Sequence, residues 1–587
     1  MNKSTQVKES RYAEKITVGE KIAYGGGDLA SNLILVLTST FVTFFYTDAL
    51  GLNAGIIGTI MLFSRVFDGV SDMLMGFVMD QVKSKRGKAR CWLYWLAIPI
   101  ALATVLVFLV PNIGDTGKYI FVIITYNLVT TFLYTMINIP YGALTSLMTR
   151  DQNQRTVINI YIWTKELDKD AKKPVVVWLH GGGYFAGSSI EQVAYDGRNM
   201  CVKGDVVVVS INHRLNILGY LDLSPFGEKY YNSGNAGHAD MAAALQWVHD
   251  NIALFGGDPE NVTIFGQSGG GMKVADLMQI PAADGLFHKG LIMSGVADEG
   301  LLPACTGTGE AIVTAMLKEL GLTVAEVETL ENIPYPQLVQ AYMKVMPQVA
   351  ATGAYVGNGP QVNDWYKGNP LQSGLREHAY DIPMMIGSVY GEFAFAPQMF
   401  DKKALTDKER REIVRKVYGE HTEEMEEIFA KTYPGKDFTD LLNIDRAMRQ
   451  PSKKLAALHA SGEKAGTYLY QFNLEFPMMN KIAWHCSDIP FFFNNTELVE
   501  VCAIPGVTEK LEAQMFGAFM NFAKTGVPVQ QDLPEWSSVT KEQEPTMIFD
   551  KECEVRNNFD DCLLEKVDSI LPPFNLMAMM AETNVQH

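Results

Sequence analysis

The chain is 587 residues long, which exceeds one ordinary domain and predicts at least two. A net charge of −17 argues against general nucleic-acid binding. Its seven cysteines form no C-x-x-C pair, a pattern that fits a reducing compartment and offers no zinc site.

Apolar runs at about 29–46, 54–79, 91–111 and 118–148 are each long enough to cross a bilayer as a helix. The first starts too late and runs too long for a cleavable signal. The linker between the second and third carries Lys83, Lys85, Arg86, Lys88 and Arg90, and the N-terminal tail carries Lys3, Lys8, Arg11, Lys15 and Lys21. Positive charge marks the cytoplasmic side, so four spans should return the chain to the cytoplasm by residue 150. The expected location is the cytoplasmic membrane, multi-pass, with the remainder inside the cell. Asp28, Asp68 and Asp72 fall in or at the ends of these spans. A carboxylate at mid-membrane costs roughly 2.5–3.5 kcal/mol, so it normally faces protein or a water-filled cavity. Asp68 and Asp72 share one helix face, and with Asp28 they could bind Na⁺ or a proton. Pairing with Arg65, or placement near a span end, is the plainer alternative.

A set of motifs in this region occurs in order: Tyr24-Gly-Gly-Gly-Asp28, Phe45-Tyr-Thr-Asp48, Arg65-Val-Phe-Asp-Gly-Val-Ser-Asp72, Gly76-Phe-Val-Met-Asp80 followed by Arg86-Gly-Lys88, and Ile139-Pro-Tyr141. Over about 10–157 it resembles the melibiose-permease-like glycoside–pentoside–hexuronide:cation symporters of the major facilitator superfamily. The resemblance implies cation coupling at Asp28, Asp68 and Asp72. Asn138 stands where that family sometimes has an acid, which leaves the coupling ion open. Such symporters have twelve spans with the sugar between two halves, so four spans predict no transport by this chain alone.

Thr149 to Arg155 reads as the polar loop after the fourth span, and Asn159–Trp163 already reads as a soluble β-strand, with no Gly/Ser or Pro linker between. Strand-like runs follow at Val175–Leu179, Val206–Ile211, Val262–Phe265, Leu291–Ser294, Met384–Ile386 and Tyr468–Phe472, with helical patterns such as Ala239–Ile252 between them. Continuous apolar strands alternating with helices imply a mainly parallel sheet covered on both faces. A turn is expected at Gly256-Gly-Asp-Pro259.

The strand Val262–Phe265 runs into Gly266-Gln-Ser-Gly-Gly270, a G-x-S-x-G, and then a helix. A serine on such a turn stands proud of the sheet edge, above the free N–H groups of the helix that follows. His180-Gly-Gly-Gly183 directly follows another strand and matches an oxyanion loop. Gly182, Gly183 and Gly269 would donate to the oxyanion, with Ser268 as nucleophile. On this fold an acid and then a histidine follow the serine. The histidines after Ser268 are His288, His378, His421, His459, His485 and His587. His485 is best placed, in a loop-like segment before an apolar run, whereas His288 reads as packing near the elbow. Glu392 follows the strand Met384–Ile386 through a turn, but order alone leaves many acids open. Trp178, Tyr184, Phe185 and Phe491–Phe493 suggest pocket material, with core packing as the commoner role.

Leu179 to Tyr184, Phe255 to Gly266, Gly285-Leu-Phe-His288 with Met293-Ser-Gly295, Gly387 to Glu392 and His485 to Pro490 also occur in order. Over about 158–575 they resemble the type B carboxylesterases, in the para-nitrobenzyl-esterase-like branch. Position by position, the resemblance implies that Ser268 is the nucleophile, His485 the base and Glu392 the orienting acid. It implies no cofactor and no metal, and small carboxylic esters as substrates. Gln267 and Gly269 stand where that family usually has Glu and Ala. Only about twenty esterase-like residues precede His180, against the family's usual hundred, which predicts an exposed sheet edge. The expected architecture is thus a four-helix partial symporter over 1–157 and an α/β hydrolase domain, short of its first strands, over 158–587. It reads as an esterase tethered to the bilayer. Three other readings stay open: a transporter-class protein with a passenger hydrolase, an inactive interaction module, and two partial genes joined together.

Overall fold

The computed structural model describes residues 41–53, 55–61, 90–148, 160–296, 306–394 and 401–574, with scattered positions from 34 to 84 and Asp298. The chain divides into two compact units, Met1–Ile158 and Asn159–His587.

In the first unit, α1 (Arg90–Val107) is followed by α2 (Asp115–Asn127), a π-helical turn Leu128–Tyr134 and α3 (Thr135–Met148). Two stretches, Arg90–Val107 of 18 residues and Asp115–Tyr141 of 27, are long and apolar enough to cross a membrane. They coincide with the expected third and fourth spans. The expected first and second spans lie largely outside the described residues, as do Asp28, Asp68 and Asp72. Ala103, Val107, Val122, Tyr126 and Val129 pack together with Val42 and Tyr46, and the Tyr46 hydroxyl donates to the Val107 carbonyl at 3.1 Å. Ile98, Leu102, Val105, Ile120 and Ile124 point outward and are exposed. An exterior this apolar suits a lipid neighbour better than water.

The second unit is built on a nine-stranded sheet. Its strands are β1 (Ile160–Trp163), β2 (Lys173–Leu179), β3 (Val207–Ile211), β4 (Gly257–Gln267), β5 (Lys289–Met293), β6 (Met384–Val389) and β7 (Thr467–Phe472). After a separate ribbon of β8 (Glu475–Phe476) and β9 (Lys481–Ile482), β10 (Pro545–Phe549) and β11 (Glu554–Asn557) complete it. The order is β1-β3-β2-β4-β5-β6-β7-β10-β11, parallel throughout except for the antiparallel pairs β1–β3 and β10–β11 at the two edges.

The sheet corrects several expectations. β4 begins at Gly257, so the turn expected over 256–259 narrows to Gly256, which takes φ +82°. β10 and β11 were not foreseen. The strand expected over 159–163 is present as β1, paired with β3 from Ile160–Ile211 to Trp163–Val208, and is itself an edge of the sheet. Ile160 and Ile162 pack on one core cluster and Trp163 on the other, and a four-residue edge strand limits pairing with another chain. The helix expected from Ala239 starts earlier, as α4 (Ala236–Asn251). Trp178 and Phe491–Phe493 are core rather than pocket: all four are fully buried, and the Trp178 ring lies 5.0 Å from both Phe265 and Phe493. Aromatic edge-to-face packing of this kind fills the space behind the central strands.

Candidate active site

β4 delivers Ser268 at the sheet's carboxyl edge, and α5 (Gly269–Leu277) begins with the next residue. Ser268 takes φ 59° and ψ −125°, a strained setting for a residue with a Cβ and one that recurs at functional turns. Its N–H donates to the Met293 carbonyl at 2.8 Å, tying the elbow to β5. The side chain is half-buried.

His485 and Glu392 meet although 93 residues separate them: Nδ1 lies 2.6 Å from Glu392 Oε2. Glu392 is fully buried, and its Oε1 accepts the Val389 N–H at 2.8 Å. Phe393 lies nearly parallel to the imidazole, 6.0 Å away at 14°, and itself stacks on Phe574. The Gln267 amide nitrogen sits 3.3 Å from His485 Nδ1 and 3.2 Å from Nε2. An in-plane atom so close to both nitrogens would collide with the carbon between them, so the amide covers a ring face. Among the described residues the imidazole makes its polar contacts with Glu392 and Gln267, and none reaches the Ser268 hydroxyl.

Burial pulls the His485 imidazole toward the neutral form, yet the Glu392 hydrogen bond and charge, with Asp488 and Asp445, outweigh it and raise its pKa. Those two aspartates had no signal in the sequence. Burial, and then the Glu392 charge, push Asp445 up to about 7, although it accepts N–H groups from Ala447, Met448 and Arg449. Asp488 is likewise pushed up to about 7 by burial and Glu392. Its Oδ2 accepts the Tyr470 hydroxyl at 2.9 Å, while its Oδ1 has no partner among the described residues. Several carboxylates around one imidazole cannot all ionise cheaply in a dry site.

Gly182 and Gly183 take φ +83° and +61°, and a Cβ on Gly269 would overlap the Gly183 backbone. Glycine is therefore required where the loop meets the first turn of α5. That turn carries unbonded helical N–H groups. His180 is buried, with Nδ1 2.9 Å from the Gly181 carbonyl. Burial, and then the charge of Lys273, pull its imidazole down to about 3, so it stays neutral.

The other histidines sit elsewhere. The His288 N–H donates to the Val262 carbonyl at 2.8 Å and its Nδ1 accepts the Val262 N–H at 3.2 Å, a structural strap. His459 is buried between Thr467 and Ala379. His378 lies near Asp284 and His421 near Glu424, both more exposed; His587 lies outside the described residues. A cavity of about 490 Å³ flanks the His485 loop, lined by Val193, Phe476, Trp484, Cys486, Val501 and Cys502 among others. Tyr184 is buried, and Phe185 is 42% exposed.

The chain is similar to known proteins of two families. Residues 156–563 match the carboxylesterase family, and residues 23–167 match the MFS/sugar transport protein family. The para-nitrobenzyl esterase of Bacillus subtilis (strain 168) is 30% identical over 392 residues, which cover 66% of this chain and 77% of that protein. The solved structure titled "An esterase from anaerobic Clostridium hathewayi can hydrolyze aliphatic aromatic polyesters" is 53% identical, with a TM-score of 0.69. That match covers 70% of this chain and 82% of that one. The N-terminal part is 42% identical to the inner membrane symporter YicJ of Escherichia coli (strain K12) over 151 residues, 26% of this chain and only 32% of the symporter. The front of the chain is thus a fragment similar to a sugar symporter, and through its larger part the chain belongs to the carboxylesterase family, as a serine hydrolase of α/β fold.

Proposed function

We propose that the chain hydrolyses small carboxylic esters through an acyl-enzyme on Ser268. His485 Nε2 takes the Ser268 proton as Oγ attacks the ester carbonyl, and the tetrahedral oxyanion lies against the N–H groups of Gly182, Gly183 and Gly269. His485 then gives its proton to the leaving alcohol. Water, deprotonated by the same imidazole, releases the acid and restores the serine. Glu392 holds the tautomer with its proton on Nδ1 and stabilises the imidazolium. No step calls on a cofactor.

The observation that carries this reading is the 2.6 Å pair of His485 and Glu392, whose imidazole lies against the residue preceding the elbow serine. A rotation of the ring past the Gln267 amide would complete the relay on substrate binding, since catalytic hydrogen bonds often tighten only then. The 53% identical neighbour whose title reports hydrolysis of aliphatic aromatic polyesters favours including aromatic esters in the class.

The front of the chain, residues 1–157, is read as an anchor of four spans, with the hydrolase domain 158–587 on the cytoplasmic face of the bilayer. Coverage of only 32% of a related symporter argues against transport. Asp28, Asp68 and Asp72 would be remnants of a Na⁺ or H⁺ site.

The test is labelling of membranes expressing the full chain with a fluorophosphonate probe, followed by peptide mapping. The adduct is expected on Ser268, in a fraction that resists an alkaline carbonate wash. A label on another residue overturns the nucleophile, and release by the wash overturns the anchor.

A further inference from the structure

Every residue of α5 is buried, yet the helix carries Lys273 and Asp276. Buried charges persist only where specific partners hold them. Among the described residues these two form no ion pair with each other. Lys273 Nζ donates to the His180 carbonyl at 2.9 Å. Asp276 Oδ2 accepts the Tyr184 hydroxyl at 2.6 Å and lies 3.0 Å from His238 Nε2, and its Oδ1 accepts the Tyr366 hydroxyl at 2.5 Å.

His180 and Tyr184 are the residues immediately before and after Gly181-Gly182-Gly183. Within the loop, the Gly182 carbonyl accepts the N–H groups of Phe185 and Ala186, just beyond Tyr184, at 3.2 and 3.1 Å. Three glycines offer no side chain to fix their position. We propose that Lys273 and Asp276 are positioning residues, which clamp the two ends of this glycine loop onto the helix that begins at the nucleophile. One helix then carries Gly269 at its start and fixes Gly182 and Gly183 through its second turn, so the three oxyanion donors keep one geometry. Burial, the dominant influence, lowers the Lys273 pKa to about 7. Ammonium and neutral amine both carry N–H donors, so the hold on His180 survives the change of charge.

The inference rests on the proposed acyl-enzyme reading, and the test separates the two. The full chain is compared with Lys273→Met, Tyr184→Phe and Ser268→Ala in p-nitrophenyl butyrate hydrolysis, affinity for a trifluoromethyl ketone and thermal midpoint. The ketone adds to the serine as a tetrahedral oxyanion and so reports donor geometry directly. In Lys273→Met, kcat is expected to fall about 10- to 100-fold, the scale of a misplaced catalytic geometry. Ketone affinity should fall by the same factor, with KM within about threefold and a modest fall in thermal midpoint, since the buried His180 carbonyl loses its donor. Tyr184→Phe should give the same pattern, smaller. A folded Lys273→Met or Tyr184→Phe with parental kcat and ketone affinity overturns the clamp, as does a kcat loss that tracks the thermal midpoint without loss of ketone binding. If Lys273→Met fails to fold, Tyr184→Phe decides alone. Hydrolysis that survives Ser268→Ala would instead remove the acyl-enzyme reading itself.

Discussion

Glu392 and His485 are joined twice. The backbone N–H of His485 donates to the Glu392 carbonyl at 2.9 Å, and the side chains meet at 2.6 Å. The bond at Nδ1 selects one tautomer, with its proton on Nδ1. Glu392→Gln removes the charge that stabilises the imidazolium and allows the wrong tautomer. Its kcat should drop by about 10³–10⁴-fold with KM little changed. A drop below tenfold in steady-state kinetics would remove Glu392 from the relay.

The pH dependence follows from the charges around the imidazole. A base must be neutral, and the net shift of His485 is upward. The acid limb of kcat/KM should therefore bend above the ordinary histidine value of about 6.5. Asp488→Asn removes one of the groups that raise it, so the bend should move to lower pH. A bend that stays fixed in Asp488→Asn contradicts this assignment.

Gln267 offers a complementary change. Gln267→Glu would set a carboxylate against the imidazole face, favouring the charged form. The acid limb should move to higher pH, measured on the same substrate. An unmoved or lower limb would mean that residue 267 does not face the ring in the working enzyme.

Gly269 stands where alanine is usual in type B carboxylesterases, yet a Cβ there would overlap the Gly183 backbone in this chain. Gly269→Ala should push the glycine loop off its place and cost about 10²–10³-fold in kcat, the loss expected for one oxyanion donor. Parental kcat in this variant would show that the loop can yield at no cost.

Stability rests partly on a buried ion network far along the chain. Asp560 accepts from Arg449 Nε at 2.7 Å and from Lys453 Nζ at 2.8 Å. Burial alone would raise its pKa, but the two cations outweigh that and lower it to about 2. A depressed carboxylate contributes stability that is complete above its unfolded value near 3.9 and is lost as pH falls toward 2. Asp560→Asn leaves two cations under-compensated and should cost about 3–5 kcal/mol in urea unfolding at pH 7. That deficit should shrink between about pH 4 and 2; a constant one would contradict the linkage.

What the sequence could and could not reveal has physical causes. β2 through β7 were legible because buried parallel strands concentrate β-branched and aromatic residues, as in Val175-Val-Val-Trp-Leu179. Chain order and the strand-end turn singled out Ser268 and favoured His485, whereas Glu392 stood among many acids until the resemblance to the type B carboxylesterases pointed to it. β10 escaped because Pro545-Thr-Met-Ile-Phe549 is short and opens on a proline, and β11 because Glu554-Val-Arg-Asn557 is half polar. Asp445 and Asp488 look like ordinary acids in a chain with 66 of them; only the folded arrangement puts both beside Glu392. Lys273 and Asp276 gave no signal either, since a helix buried on every side has no polar face to betray a buried charge.

The most direct measurement of the central claim is p-nitrophenyl ester hydrolysis by membranes expressing the full chain, with Ser268→Ala alongside at equal protein level. Turnover that falls to the uncatalysed background in Ser268→Ala is the predicted result: the domain folds on its short front edge and acts through this serine. Equal rates for the two chains would contradict it and leave the hydrolase domain without catalytic work.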